Sequence, residues 1–284
     1  MPITFLSTGT DDEERRIAEQ EFLASLRRQR RRTVASQTLL NVAGVLVFAL
    51  IWELLPRTIP GINQLMFPPP SGVIEAFLEL CASGELVAHT LASLLRALAG
   101  FAFGSCAGII AGLLVARILP LRHMSDPVLH GLRSIPAIAL VPLAIVWFGI
   151  GEIAKIALIT WAAFFPVWIN TFLGARDVHI VLIRSAKSLG ASPTRTLFTV
   201  ILPAAAPLIF AGLRQALAVA LVVMVAAELV GASTGLGQLI AMSHQLFRVD
   251  VMFVALLTLG AIGFALDRIF ATLLHHLFPW YGRS

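Results

Sequence analysis

The sequence predicts an all-α membrane protein with six transmembrane helices and both termini cytoplasmic, on three observations. Of 284 residues, 58% are hydrophobic and only 13% are charged, against about a quarter charged in an ordinary soluble domain. Apolar runs recur along the chain at the length needed to cross a bilayer, about 20 residues each. Lys and Arg crowd alternate flanks of those runs, and cytoplasmic flanks hold the excess of such residues. Two cysteines, Cys81 and Cys106, exclude a disulfide framework and a thiol metal cluster. The net charge of +5 does not point to nucleic acid, because much of it sits in Arg27, Arg28, Arg30, Arg31 and Arg32, immediately before an apolar stretch. That position lies beside lipid.

Residues 1–36 are expected to form a cytoplasmic tail carrying an interfacial helix from about Asp11 to Arg32. Thr10 and Glu13 have capping-box spacing, Asp11 to Glu14 place acids at the helix start, and arginines cluster at its end. The apolar stripe of Ala18, Phe22 and Leu26 is short, so a partly disordered basic anchor is the alternative. Residues 37–284 form one transmembrane domain. Its spans run from about Thr38 to Leu55, His89 to Ala116, Pro127 to Gly149, Ile153 to Gly174, Val200 to Gly231 and Val251 to Leu274. The first is long enough to span and has no small-residue cleavage site after it, so no removable leader is expected. Most of the 21 Lys and Arg fall on one side: the N-terminal arginines, Arg117, Arg122, Arg133, Arg176, Arg184, Lys187, Arg195, Arg268 and Arg283. Arg57, Lys155 and Arg248 fall on the other.

Within the second span Gly100, Gly104, Gly108 and Gly112 recur every four residues, a ridge without side chains against which another helix can pack closely. Prolines punctuate the third span at Pro136 and Pro142, the fourth at Pro166 and the fifth at Pro203 and Pro207. Each removes a backbone donor, so the freed carbonyl needs another partner or a cavity. Charges inside the spans are sparse: Arg96, Arg214 and Glu228, with Glu53 near an edge. A charge at mid-helix costs about 2.5–3.5 kcal/mol on insertion scales, so each should face protein or water. Arg96 and Glu228 lie at matching depth and can pair; the alternative is that Arg96 or Arg214 attracts an anionic solute along a path. Arg214 and Glu228 stand 14 residues apart. That is about 21 Å of helix rise, too far for a direct pair.

The loop of residues 176–199 is the most informative segment. Leu182, Ser185, Ala186 and Leu189 fall on one helical face, with Arg184, Lys187 and Ser188 displaced toward the other. Gly190 supplies a helix stop, and Ser192 with Pro193 supplies an N-cap and a first-turn proline. Two short helices joined at a fixed elbow follow, a surface suited to docking a partner. The alternative is a solvated connector.

The stretch RSAKSLGASPTRTLFTVILP, Arg184 to Pro203, resembles the permease signature of bacterial ABC importers. Ala186, Gly190, Leu202 and Pro203 match it in register; Arg184 stands where the pattern has glutamate and Ser185 where it has alanine. FPPPSGV at Phe67 to Val73, HTLASLLRALAGFAFG at His89 to Gly104, VPLAIVWFGIGEIAKI at Val141 to Ile156, GLRQAL at Gly212 to Leu217 and AAELVGASTGLGQLI at Ala226 to Ile240 are similar to the nitrate, sulfonate and taurine uptake permeases. The ending LFPWYGRS and the arginine before SAKSLGAS resemble the taurine branch.

The resemblance implies a type I ABC importer fold in a bacterial inner membrane. It also implies a second permease copy, two ATPase subunits that bind ATP and Mg2+, and an extracytoplasmic solute-binding protein. The ATPase would receive the loop Arg184, Ser185, Ala186, Lys187, Ser188, Leu189, Gly190, Ala191, Ser192, Pro193, Thr194 and Arg195. Taurine or another alkanesulfonate is the implied solute, with nitrate, bicarbonate or another small solute as the alternative.

The chain itself is expected to bind no cofactor. Its only lysines, Lys155 and Lys187, each follow alanine, whereas a phosphate loop ends in Gly-Lys. The seven histidines are scattered, and His275 and His276 lie where interfacial anchoring is the default, so no nucleophile–base arrangement can be argued. An intramembrane hydrolase would need a second mid-span acid beside Glu228. An ion-driven secondary transporter would be expected to show internal repeats and several coupling-ion residues. Neither pattern is visible.

Overall fold

The computed structural model describes residues 37, 40–41, 43–59, 63 and 65–277. The expected interfacial helix before Arg32 and the C-terminal FPWYGRS lie outside the described residues. Among the described residues the structure is helical throughout, with no strand. The chain divides into two units, residues 1–64 and 65–284.

In the first unit, helix α1 covers residues 43–58. Its side chains from Val45 to Leu54 are almost all apolar and exposed, as suits a lipid-facing helix. A Glu53–Arg57 ion pair of 2.5 Å and a Thr58 hydroxyl donating to the Leu54 carbonyl finish its last turn.

The second unit is built on α3 (Glu85–Arg117), α6 (Glu152–Arg176) and α9 (Leu202–Gly231). A Cβ on Gly100 would lie 2.5 Å from Ile159 Cβ, on Gly104 2.5 Å from the Thr160 carbonyl oxygen, on Gly108 2.8 Å from that of Phe164, and on Gly112 2.7 Å from Thr171 Cβ. Both helices advance by four residues per contact, so α3 and α6 run parallel with their backbones in touch. Gly212 of α9 meets Pro166 and Asn170, and Gly174 of α6 meets Ala205, so α9 runs antiparallel to α6. Ile159, Ala162, Ala220 and Met224 fill the core among these helices. Around them lie α2 (Pro70–Ala82), which packs on α11 (Val249–Leu277), and α10 (Leu236–Gln245), which bridges α9 and α11.

Two expectations are corrected. The third span is not one helix: α4 (Leu119–Arg133) and the segment from a 3-10 turn (Ala137–Leu140) through α5 (Val141–Phe148) meet at 85°. The residue before a proline is driven from helical backbone, and Pro136 follows immediately on Ser134–Ile135. The second helix of the expected elbow is also not separate. α8 (Pro193–Thr196) continues through a π turn (Leu197–Ile201) into α9, one apolar rod of 39 residues from Pro193 to Gly231. Pro203 denies its donor to the Thr199 carbonyl, and the wider turn absorbs that loss without a break. Among the described residues four helices are long and apolar enough to span, five with the bent pair counted as one.

Candidate functional site

The ridge register that sets Gly100 against Ile156 and Ile159 carries one turn further to Arg96 and Glu152. Arg96 is only 6% exposed and its fork grips Glu152 twice, Nε to Oε2 at 2.5 Å and Nη2 to Oε1 at 2.8 Å. Its Nη1 donates to Glu228 Oε1 at 2.6 Å and to the Thr234 carbonyl. Lys155 adds a second cation on Glu152 at 3.0 Å. Two acids thus face two bases, and three helices are tied at one end.

Glu228 is fully buried and accepts more than the arginine. The Ser93 hydroxyl lies 2.8–2.9 Å from both its oxygens, and the Gly237 N–H donates to Oε2 at 2.9 Å. Ser93 Oγ in turn accepts from the Leu236 N–H at 2.7 Å. His89 Nδ1 reaches the Gly235 backbone, 2.9 Å from its nitrogen and 2.8 Å from its carbonyl oxygen. These bonds satisfy the first orphan donors of α10 and hold the turn at Thr234–Gly235 against the bundle. Gly235 has φ +132°, and a Cβ there would collide with the Glu228 carboxylate, so glycine is required.

The structure therefore brings Arg96 and Glu228 together and sets Arg214 apart. Arg214 makes a bidentate pair with Asp267 of α11 at 2.6 and 2.8 Å, both half exposed. Sequence reasoning missed Ser93, His89, Glu152, Thr234 and Gly237. Each sits in a stretch quoted above, and the four-residue ridge spacing extended from Gly100 to Arg96 was the available signal for Glu152. Among the described residues no group of three or more His, Cys, Asp or Glu is placed to hold a metal ion.

At the opposite end α7 (Ile180–Ser188) turns sharply into α8. Gly190, at φ +76°, sits in the left-handed region that glycine tolerates. The Ala191 N–H returns to the Ala186 carbonyl at 3.0 Å and the Gly190 N–H to that of Lys187 at 2.9 Å, a Schellman ending. Ser192 Oγ then accepts from the Arg195 N–H at 3.2 Å and opens α8. The Arg176 guanidinium, 2.8 Å from Asp177, holds that carboxyl below its ordinary pKa at the start of the loop. The anchor of α7 is Ile183, buried with Ala175, Ile201 and Ala205, while Leu182 and Leu189 of the expected apolar face point outward. Ile180, Val181 and Phe198 are exposed beside them.

Residues 104–278 match the family model described as the binding-protein-dependent transport system inner membrane component. The chain belongs to that family. It is 34% identical over 267 residues to the taurine transport system permease protein TauC of Escherichia coli (strain K12), covering 92% of this chain and 97% of that one. It is 36% identical to the putative aliphatic sulfonates transport permease protein SsuC of Bacillus subtilis (strain 168), covering 82% and 84%. Among solved structures, an amino acid ABC transporter with histidines aligns at TM-score 0.56 and 19% identity over 71% of this chain and 96% of that one. The fold is shared with it.

Proposed function

We propose that this chain is the permease of an ATP-driven importer for a small organosulfonate, with taurine or another alkanesulfonate as its solute. The observation that carries the reading is the near full-length similarity to a taurine permease. The apolar runs support six spans and the arginine-rich flanks support cytoplasmic termini. They put the α7–α8 elbow inside the cell and the Arg96–Glu228 network outside.

On this reading the chain pairs with a second copy of itself. Two ATPase subunits carrying ATP and Mg2+ seat against Arg184–Arg195, and an extracytoplasmic binding protein delivers solute. The elbow geometry supports the coupling role. Exposed Leu182 and Leu189 offer apolar surface for a groove, and Ile183 holds α7 on the core. α8 is the head of the 39-residue helix rather than a separate piece. A push on the elbow is therefore delivered along α9 to the far end, whereas a flexible loop would absorb it. There Glu228 meets Arg96. The glutamate of the usual signature is Arg184 here, so docking at that position rests on the elbow and its apolar face.

Reconstitution tests the reading. Proteoliposomes holding the permease, its ATPase and its binding protein should accumulate taurine or methanesulfonate only with ATP. Accumulation that persists with a hydrolysis-dead ATPase and follows an ion gradient would overturn it.

A further inference from the structure

The break between α4 and α5 opens a cavity of about 380 Å³ against α6 and α9. Its walls include Arg133, Pro136, Trp161, Phe165, Gln215 and Val219. Trp161 and Phe165 lie near the middle of α6 and Gln215 near the middle of α9, so the cavity sits at mid-depth of the bundle. The volume falls within the range of small-molecule sites, about 300–1,000 Å³. The cavity among α2, α3 and α11 and the one beside α5 are lined almost wholly by apolar side chains and lack any charge. In the small cavity at the end of α2 the one cation, Arg248, is held by Glu79 and Asp250.

Arg133 distinguishes this place. Arg96 and Lys155 are matched by Glu152 and Glu228, and Arg214 by Asp267. Arg133 has no ion pair or hydrogen bond among the described residues, and no carboxylate lines the cavity with it. Arg133, expected from the sequence on the cytoplasmic flank, instead ends α4 beside Trp161 and Phe165 with its side chain exposed. A cation at this depth is expensive unless it faces water or a counter-charge. An arginine already held by carboxylates is a poor host for an incoming anion, which would have to displace them. An unmatched guanidinium presents a planar fork of donors suited to an oxoanion.

We infer that the cavity holds the oxoanion in transit, with Arg133 as its counter-charge, the Gln215 amide as a second polar partner, and the Trp161–Phe165 rings against the alkyl chain of an alkanesulfonate or the methylenes and ammonium of taurine. The inference rests on the sulfonate reading above and assigns the solute to Arg133 rather than to Arg96 or Arg214.

Uptake of radiolabelled taurine by the reconstituted complex, measured beside ATP hydrolysis stimulated by the loaded binding protein, tests it. Arg133→Ala should lower uptake at least tenfold while stimulated hydrolysis stays within twofold, and Arg133→Lys should fall between the two. Wild-type uptake in Arg133→Ala, or equal loss in the alanine and lysine variants, would overturn the inference. Should Arg133→Ala reduce the assembled complex, Gln215→Leu is read instead: a threefold or larger loss supports the cavity, and unchanged uptake overturns it. A wild-type complex that moves no sulfonate refutes the substrate reading. Sulfonate uptake that ignores both substitutions refutes the cavity alone.

Discussion

Arg96 and Glu228 close one end of the α3–α6–α9 bundle almost without exposure, each bonded to several partners, whereas at the other end Leu189 stands 88% exposed with no side chain over it. The first end ties itself together with polar groups the bilayer would penalise. The second leaves apolar groups where water would penalise them. Burial with every donor matched marks an internal brace, while exposed apolar surface on a rigidly capped elbow marks an unfinished interface. The two ends should therefore respond differently to substitution: the brace in stability, the elbow in association.

The largest effect is expected from Glu228→Ala, which leaves Arg96 short of a buried partner and strips a cap from α10. Breaking a buried pair from one side costs about 3–5 kcal/mol, read as a fall in the thermal midpoint of the solubilised permease. An unchanged midpoint would break the comparison. Gly104→Val comes next. Its side chain would start 2.5 Å from the Thr160 carbonyl oxygen, and overpacking of this kind costs about 1–3 kcal/mol or more. Gly131→Ala is its control, because nothing lies within 4 Å of that position, and its midpoint should hold or rise.

Gly190→Val tests the elbow. A β-branched residue at φ +76° is strained by about 1–2 kcal/mol. The altered turn should reduce co-purification of the ATPase more than it lowers the midpoint. Equal ATPase recovery would remove the elbow from coupling. The smallest effect on the fold belongs to Leu189→Ser, expected within about 0.5 kcal/mol for an exposed site, with ATPase recovery still reduced severalfold. If that variant unfolded the permease while retaining the ATPase, the contrast between the ends would invert.

Local chemistry made much of this legible. Glycines every fourth residue announce a close helix contact because only backbone remains on that face. Gly190, Ser192 and Pro193 carry their own turn geometry in their side chains, or in the lack of one. The bend at Pro136 was readable as an interruption but not as 85°, because a proline sets which backbone states are excluded and leaves the direction to packing. α10 was hidden for a related reason. GASTGLGQLI is rich in glycine, and its helix begins where donors from distant residues, Ser93 and Glu228, are waiting.

The sequence by itself determined the class of molecule, four of the helices that can span, the family and the turn at Gly190, because each depends on composition or on neighbours within a few residues. Tertiary structure alone decided that Glu152 joins Arg96, that Arg214 takes Asp267, and that Arg133 is left unmatched beside a cavity. Which cation meets which anion depends on helix register and crossing, set by packing across separations of 50 to more than 130 residues. No local pattern encodes a distance of that kind.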